Sequence, residues 1–324
     1  MRAIIPVAGV GSRLRPHTYA IPKVLLNVGG KPIIGHILDK IILDGFDSAT
    51  IIVGYLGDMV KEYVTANYKL KIDFVEQEER KGLAHAIYLA QSTFTKEPLL
   101  IILGDTIFEV DLRPVMKERF TSIGVKHVDD PRRFGIVELD DGTVKKFIEK
   151  PENPTSNLAI VGLYWILNPM LLVECINDLF ERNMKTKGEY QLTDALELLR
   201  ERGEKIKTFH VDGWYDCGKS ETLLSTNRHL LENKSTFVSM HSVVIVPPVF
   251  IAPDAKISNS VIGPYATIAS GAEVNESIVR NSIVSENAHV HKALLENSLV
   301  GNNAVVKGSY KRINIGNHAE IDFY

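Results

Sequence analysis

The residues best suited to handling phosphate stand close together near the start of the chain. Gly9-Val10-Gly11-Ser12-Arg13-Leu14 follows a short apolar run, and Lys23 comes a little further on. A glycine-rich turn after a buried strand presents backbone N–H groups to an anion, phosphate being the usual one. Arg13 offers a two-pronged guanidinium to phosphate oxygens and Lys23 a point charge. Pro16 and Pro22 stiffen the segment that carries them. Two familiar phosphate loops are excluded. A dinucleotide fingerprint needs a third glycine where Leu14 stands, and an acid after the second strand where the chain has Gly54-Tyr55. A Walker loop needs Ser or Thr after Gly30-Lys31, and Pro32 stands there. Two glycines at a strand end also suit an ordinary turn, so the cations that follow carry the chemical reading.

Those cations need a rigid frame. Apolar runs at residues 3–7, 49–53, 72–75 and 99–103 read as buried strands. Between them Ile33, Ile34, Ile37, Leu38, Ile41 and Ile42 recur at helical spacing, and further helices are expected near 58–65 and 83–91. Strand and helix in alternation imply an α/β, Rossmann-like domain with a mostly parallel sheet covered on both faces. Ligands of such sheets bind beyond the carboxyl ends of the strands. That places residues 7–14, 76–82 and 104–105 at the site.

From about Phe237 the texture changes. Four blocks, at 261–268, 283–290, 299–306 and 314–321, repeat an aliphatic, a small residue, polar residues, Ala and a further aliphatic on a six-residue beat. This pattern predicts a small parallel β-helix of hexapeptide repeats. The expected domains are therefore 1–235 and 240–324.

Composition sets outer bounds. The 324 residues carry 37 Lys and Arg against 40 Asp and Glu, a net charge of −3 that lacks the basic footprint of a nucleic-acid binder. Cys175 and Cys217 form no disulfide framework, which suits a reducing cytoplasm. No apolar run reaches membrane-spanning length. A cytoplasmic protein without nucleic-acid or membrane partners is expected.

The motifs then point to one family. Gly9-x-Gly11-Ser12-Arg13-Leu14-x-Pro16-x-Thr18-x-x-x-Pro22-Lys23 resembles the signature of the sugar-1-phosphate nucleotidyltransferases. So do Gln77 with Gly82-Leu83-Ala84-His85-Ala86, Leu103-Gly104-Asp105, Phe134-Gly135-Ile136-Val137 and Glu149-Lys150-Pro151. Gly162-Leu163-Tyr164, the Gly188–Asp194 segment and Trp214-x-Asp216-x-Gly218 continue the likeness over residues 1 to 235. It is greatest toward long-form glucose-1-phosphate thymidylyltransferases with a C-terminal left-handed β-helix. Pro6-Val7-Ala8 and Ala20-Ile21-Pro22-Lys23 look more like uridylyltransferases, and Thr106 stands where thymidylyltransferases usually carry Asn.

The resemblance implies that a sugar 1-phosphate attacks the α-phosphorus of a nucleoside triphosphate, dTTP or UTP, releasing pyrophosphate. It assigns catalysis to Arg13 and Lys23, and nucleotide binding to Ala8, Gly9, Gly11, Ser12, Gln77 and Gly82. Gly135, Glu149, Lys150, Ile160, Tyr164 and Trp214 would hold the glucose 1-phosphate. Asp105 and Asp216 would hold Mg2+, although each also suits a plain turn. Cys217 reads as small filling. Two rival readings stand beside this one. The β-helix could transfer acyl groups, with His289, His291 and His318 as candidate bases, although an assembly role in a homo-oligomer fits so short a segment better. Alternatively the chain is a silent sugar-nucleotide sensor, but such chains typically lose the cations or carboxylates present here.

Overall fold

A computed structural model describes residues 1–233 and 240–308. The described residues form two compact units: Met1–Leu26 with Lys31–Leu223, and Asn27–Gly30 with the chain from Leu224 onward. The division thus falls ahead of the boundary expected near residue 235.

The first unit is built on a mixed sheet. Its strands, in chain order, are β1 (Arg2–Pro6), β2 (Ser48–Val53), β3 (Lys71–Glu76) and β4 (Leu99–Ile102). A short β5 (Thr106–Glu109) is followed by β6 (Thr121–His127), β7 (Gly135–Asp140), β8 (Thr143–Glu149) and β9 (Leu158–Ile166). β10 (Ile206–His210) and β11 (Gly213–Asp216) complete the set. The order is β8-β7-β9-β4-β1-β2-β3, with β6 pairing both β9 and β10. β4, β1, β2 and β3 run parallel, and β9 lies antiparallel to β4. The half that carries the glycine-rich loop is therefore the parallel one expected from the strand–helix alternation. Its helices include α1 (Ile33–Leu43), α2 (Gly57–Asn67), α3 (Leu83–Leu89), α4 (Arg113–Lys117), α5 (Pro169–Glu181) and α6 (Leu192–Glu201). Ile33, Ile34, Ile37, Leu38 and Ile41 of α1 are all buried, as their spacing predicts, whereas Ile42 is 44% exposed. β5 and β11 stand apart as a two-stranded antiparallel ribbon.

The second unit is a parallel β-helix whose short strands stack into three four-stranded sheets. Its first sheet is β12 (Val243–Ile245), β15 (Ser260–Ile262), β18 (Ile278–Arg280) and β21 (Leu294–Glu296), and its second β13 (Val249–Ile251), β16 (Ala266–Ile268), β19 (Ile283–Val284) and β22 (Leu299–Val300). The third is β14 (Lys256–Ser258), β17 (Glu273–Asn275), β20 (His289–His291) and β23 (Val305–Lys307). Inward-facing Ile262, Val279, Ile268, Val284, Val274 and Val290 fill the core. The corners recur in register because each coil repeats left-handed backbone, at Asn259, Glu276 and Lys292 on one corner and Gly271, Asn287 and Asn303 on another. The helix α7 (Ser220–Asn233) contributes its C-terminal part to this unit. There the fully buried Asn227 accepts from Thr267 Oγ1 at 2.7 Å and from Gly29 N at 2.8 Å. The fourth repeat block, at 314–321, lies outside the described residues.

Candidate active site

β1 ends at Pro6, and the chain turns through Gly9 and Gly11 into a short 3-10 turn, Ser12–Leu14. Gly11 needs to be glycine. Its φ is +66°, and a Cβ there would lie 3.0 Å from both Lys23 Cβ and Thr18 Cγ2. Fully buried Leu14 and Thr18 anchor the loop, with Thr18 Oγ1 donating to Gly11 O at 2.9 Å. Arg13 and Ser12 are left exposed, while the stem of Lys23 is buried.

Lys23 Nζ reaches Asp105 Oδ2 at 2.9 Å. Desolvation works against ionising Asp105, but Lys23, the Thr106 hydroxyl and Arg13 prevail and hold its carboxyl below the usual aspartate range. Asp105 sits where β4 hands over to β5, and Asp216 is the last residue of β11. The ribbon register sets Asp216 opposite Thr106, and Cys217 N donates to Asp105 O at 3.1 Å. Two acids more than a hundred positions apart are thereby neighbours. A Cβ on Gly218 would meet both Asp216 Oδ1 and Arg13 Nη2 within 3.0 Å, so Arg13 borders the same spot.

Arg13, Lys23 and Asp105 open on a cavity of about 460 Å³, with Asp216 behind Asp105 and outside the lining. Ala8, Gly9, Gly11, Ser12, Arg13, Lys23, Gln77, Gly82 and Asp105 all line it. Across the cavity from the glycine-rich loop, Gln77 is buried and its Nε2 donates to Gly82 O at 3.3 Å. The same nitrogen lies 3.3 Å from His85 Nδ1. A nitrogen already donating to a carbonyl requires the unprotonated Nδ1 of a neutral imidazole as its second partner. Burial, aided by the charge of Lys81, lowers the His85 pKa and favours that neutral form.

A second cluster adjoins the first at the other end of the sheet. β8 ends at Glu149, opposite Gly135 at the start of β7. Glu149 takes a 2.7 Å hydrogen bond from Thr193 Oγ1 and a 2.9 Å contact from Lys150 Nζ. A Cβ on Gly135 would touch Glu149 Oε2, Thr193 Oγ1 and Ile160 Cδ1 at 3.0 to 3.1 Å, so only glycine leaves this corner open. Tyr164 is buried, and its hydroxyl pKa is raised by burial and by the charges of Glu149 and Asp105. It therefore lies between the two clusters. Trp214 packs edge-on against Phe134, with ring centroids 4.9 Å apart, and its buried Nε1 has no hydrogen-bond partner among the described residues.

Some site residues escaped the sequence reading. Arg80 lines the cavity beside Leu83, Ala86 and Glu189, which belong to the quoted motifs. Arg80 sits in a charged run, Glu78-Glu79-Arg80-Lys81, that reads as an ordinary solvated loop. Thr193 as the partner of Glu149 follows only from the tertiary approach of α6 to β8. In the second unit, His289 Nδ1 lies 3.1 Å from Glu273 Oε2 on an exposed face, as in a common surface pair. His318 lies outside the described residues.

A strand-end glycine loop with two cations, a carboxylate and a buried amide around one cavity, and a second carboxylate beside the first, define a nucleotide-handling transferase. The Nucleotidyl transferase family profile matches residues 2–233, and the chain belongs to that family. It is 38% identical over 243 residues to the bifunctional protein GlmU of Methanocaldococcus jannaschii, covering 73% of this chain and 56% of that protein's length. It is 32% identical over 298 residues to the glucose-1-phosphate thymidylyltransferase of Streptomyces antibioticus, covering 86% of this chain and 81% of the relative. Among solved structures, one from Bacillus anthracis described as a glucose-1-phosphate thymidylyltransferase superposes with a TM-score of 0.62 at 27% identity. That match covers 74% of this chain and 98% of the other. Among the described residues no helix is long and apolar enough to cross a membrane.

Proposed function

We propose that this chain joins a pyrimidine nucleoside triphosphate to a sugar 1-phosphate, with dTTP and glucose 1-phosphate as the preferred pair. The observation that carries the reading is the single cavity uniting Arg13, Lys23 and Asp105 with Gln77 and Gly82. A phosphate oxygen of the sugar 1-phosphate attacks the α-phosphorus. The bond from that phosphorus to the bridging oxygen breaks, and pyrophosphate leaves with the electron pair. No enzyme nucleophile is needed, so the protein's work is to align two polyanions and offset their charge. Arg13 holds the departing phosphates, and Lys23 stabilises charge at the transferring group. Lys150 holds the sugar phosphate while Glu149 accepts from a sugar hydroxyl. Trp214 Nε1, without a partner among the described residues, offers that sugar a donor.

Asp105 and Asp216 suit a hard cation. Among the described residues no three His, Cys, Asp or Glu side chains converge to cage a metal. Mg2+ does not require such a cage, since it commonly takes one or two carboxylates and completes its octahedron with phosphates and water. Bound there, it would neutralise phosphate charge.

Gln77 supports a pyrimidine. With Nε2 engaged by Gly82 and His85, its carbonyl oxygen is left to accept the imide N–H of uracil or thymine. The nearby apolar lining from Leu83 and Ala86 favours a C5 methyl group. One methyl in an apolar pocket is worth about 1–3 kcal/mol, or roughly 10–200-fold. Ranking triphosphates against sugar 1-phosphates by kcat/KM should therefore place dTTP first and UTP second. A preference for ATP or GTP would overturn the reading of Gln77. UTP is the second reading, favoured by Pro6-Val7-Ala8 and by Thr106, whose hydroxyl lies 3.3 Å from Asp105 Oδ1. We assign a homo-oligomer assembly role to the β-helix, with no acyl transfer.

The His85 contact sets a pH dependence. Its pKa lies below 6.5, so the imidazole is neutral at pH 7 and charges only on acidification below 6.5. Protonated Nδ1 can no longer accept from Gln77, and the base-reading amide loses its brace. KM for the triphosphate should stay level from about pH 8 to 6.5 and climb below that. His85→Ala should raise KM throughout and remove the bend. A wild-type KM that stays level down to about pH 5 would refute the role given to His85.

A further inference from the structure

The loop that joins β3 to α3 carries Gln77 at one end and Gly82 at the other, with Glu78-Glu79-Arg80-Lys81 between them. Its tip is a tight turn. Lys81 N donates to Glu79 O at 3.1 Å, and Lys81 O accepts from Tyr190 N at 2.8 Å. The exposed side chains of Glu79 and Lys81 pair with each other. Arg80, between them, instead lines the cavity. The acids around it are already engaged. Glu79 is taken by Lys81, Asp105 by Lys23 at 2.9 Å, and Glu189 by Gln191 Nε2 at 3.2 Å. Among the described residues the Arg80 guanidinium has neither an ion pair nor a hydrogen bond.

A nucleotide site has a use for such a group. A base held by its edge at Gln77 still presents two π faces, and proteins cover these with aromatic rings or with arginine guanidinium planes. Among the described residues lining this cavity there is no Phe, Tyr, Trp or His. Its two arginines are Arg13, on the glycine-rich loop across the cavity, and Arg80, three positions from Gln77 and two from Gly82. With the phosphates drawn toward Arg13 and Lys23, Arg80 is the arginine left beside the base.

We propose, resting on the nucleotide reading above, that Arg80 is a base-stacking residue whose guanidinium plane lies flat on the pyrimidine that Gln77 holds by its edge. A guanidinium is weakly hydrated, so its face can meet a ring while its N–H groups stay in water. Every base has a π face, and stacking therefore adds affinity without choosing among bases. Choice stays with the hydrogen bond to Gln77 and with the apolar lining near Leu83.

Arg80→Ala and Arg80→Lys test the role with dTMP, dTTP and inorganic tripolyphosphate as probes, each dissociation constant measured by calorimetry with Mg2+ present. Exposed at the loop tip, Arg80 can be exchanged without loss of the fold. Removing the plane should weaken dTMP and dTTP by the same factor, about five- to tenfold, and leave tripolyphosphate unchanged. Lysine keeps the charge and loses the plane, so Arg80→Lys should behave like Arg80→Ala. The ratio of dTTP to UTP affinity should keep its wild-type value in both variants. An unchanged dTMP constant in Arg80→Ala would overturn the stacking role. So would wild-type dTMP affinity in Arg80→Lys, or a loss of tripolyphosphate binding as large as the loss of dTTP, since either assigns Arg80 to phosphate charge. A wild type that binds dTTP no more tightly than tripolyphosphate is a different failure, because it removes the base from the cavity and the nucleotide reading with it.

Discussion

Replacing Asp105 with alanine should cut kcat/KM for pyrophosphate release by about a thousandfold or more, the scale on which preorganised charge at a reacting phosphate operates. Asp105 carries two roles on the proposed reading. It supplies one of two carboxylates to the cation, and it fixes Lys23 through the 2.9 Å contact of Nζ with Oδ2. Its loss leaves an ammonium whose side chain is only 9% exposed without that partner. A fully buried pair broken in this way loses ~3–5 kcal/mol. The Asp105 side chain is 43% exposed, so solvent screening reduces the cost to about 1–2 kcal/mol. The fold should survive, with a melting temperature lowered by a few degrees. Asp105→Asn keeps the shape and removes the charge, and should lose activity nearly as far with a smaller change in melting. Because Lys23 holds the carboxyl below 3.8, Asp105 stays ionised at neutral pH, and its ion-pair stabilisation is lost only as pH falls through that depressed pKa. Near-wild-type turnover in Asp105→Asn at low Mg2+ would remove both roles at once.

How much of this could be read from residues alone depends on whether local pattern or tertiary approach decided the outcome. The parallel strands beside the loop were legible because each is a short apolar run bounded by turn residues, and α1 because its isoleucines follow the helical period. The β-helix was legible because its beat repeats and each repeat must bury the same face. Pairings between distant segments were not. That Asp216 neighbours Asp105 depends on the hydrogen-bond register of β11 on β5, for which neither strand carries a sequence signal. Only the family resemblance linked the two acids. Thr193 on Glu149 and His85 behind Gln77 are likewise tertiary facts. So is the outward column on the first sheet of the β-helix: Val244, Ile278 and Leu294 are as apolar as the inward residues beside them, and only the coil geometry tells the two sets apart.

Gly82→Ala should be the most damaging substitution of a residue that bears no functional group. Gly82 opens α3 at φ 115° and ψ 176°, a conformation essentially confined to glycine. A Cβ there would lie 2.4 Å from Tyr190 O and 2.8 Å from Tyr190 N, and both obstacles are backbone. They cannot yield cheaply, because Ala84 N donates to Tyr190 O at 3.0 Å and Tyr190 N donates to Lys81 O at 2.8 Å. Relieving the clash means breaking that clamp and displacing the Gly82 carbonyl that orients Gln77. The backbone strain alone is worth ~1–3 kcal/mol, and with the lost contacts a destabilisation of about 2–4 kcal/mol is expected. The more specific consequence is in binding. KM for the triphosphate should rise by about tenfold or more, the cost of one misplaced hydrogen bond to the base, while KM for the sugar 1-phosphate should change far less because Glu149 stands at the end of β8, away from Gly82. Denaturant melts and paired KM measurements separate the two effects. If Gly82→Ala weakened both substrates equally, the clamp would serve overall folding, and the link from Gly82 through Gln77 to the base would be wrong.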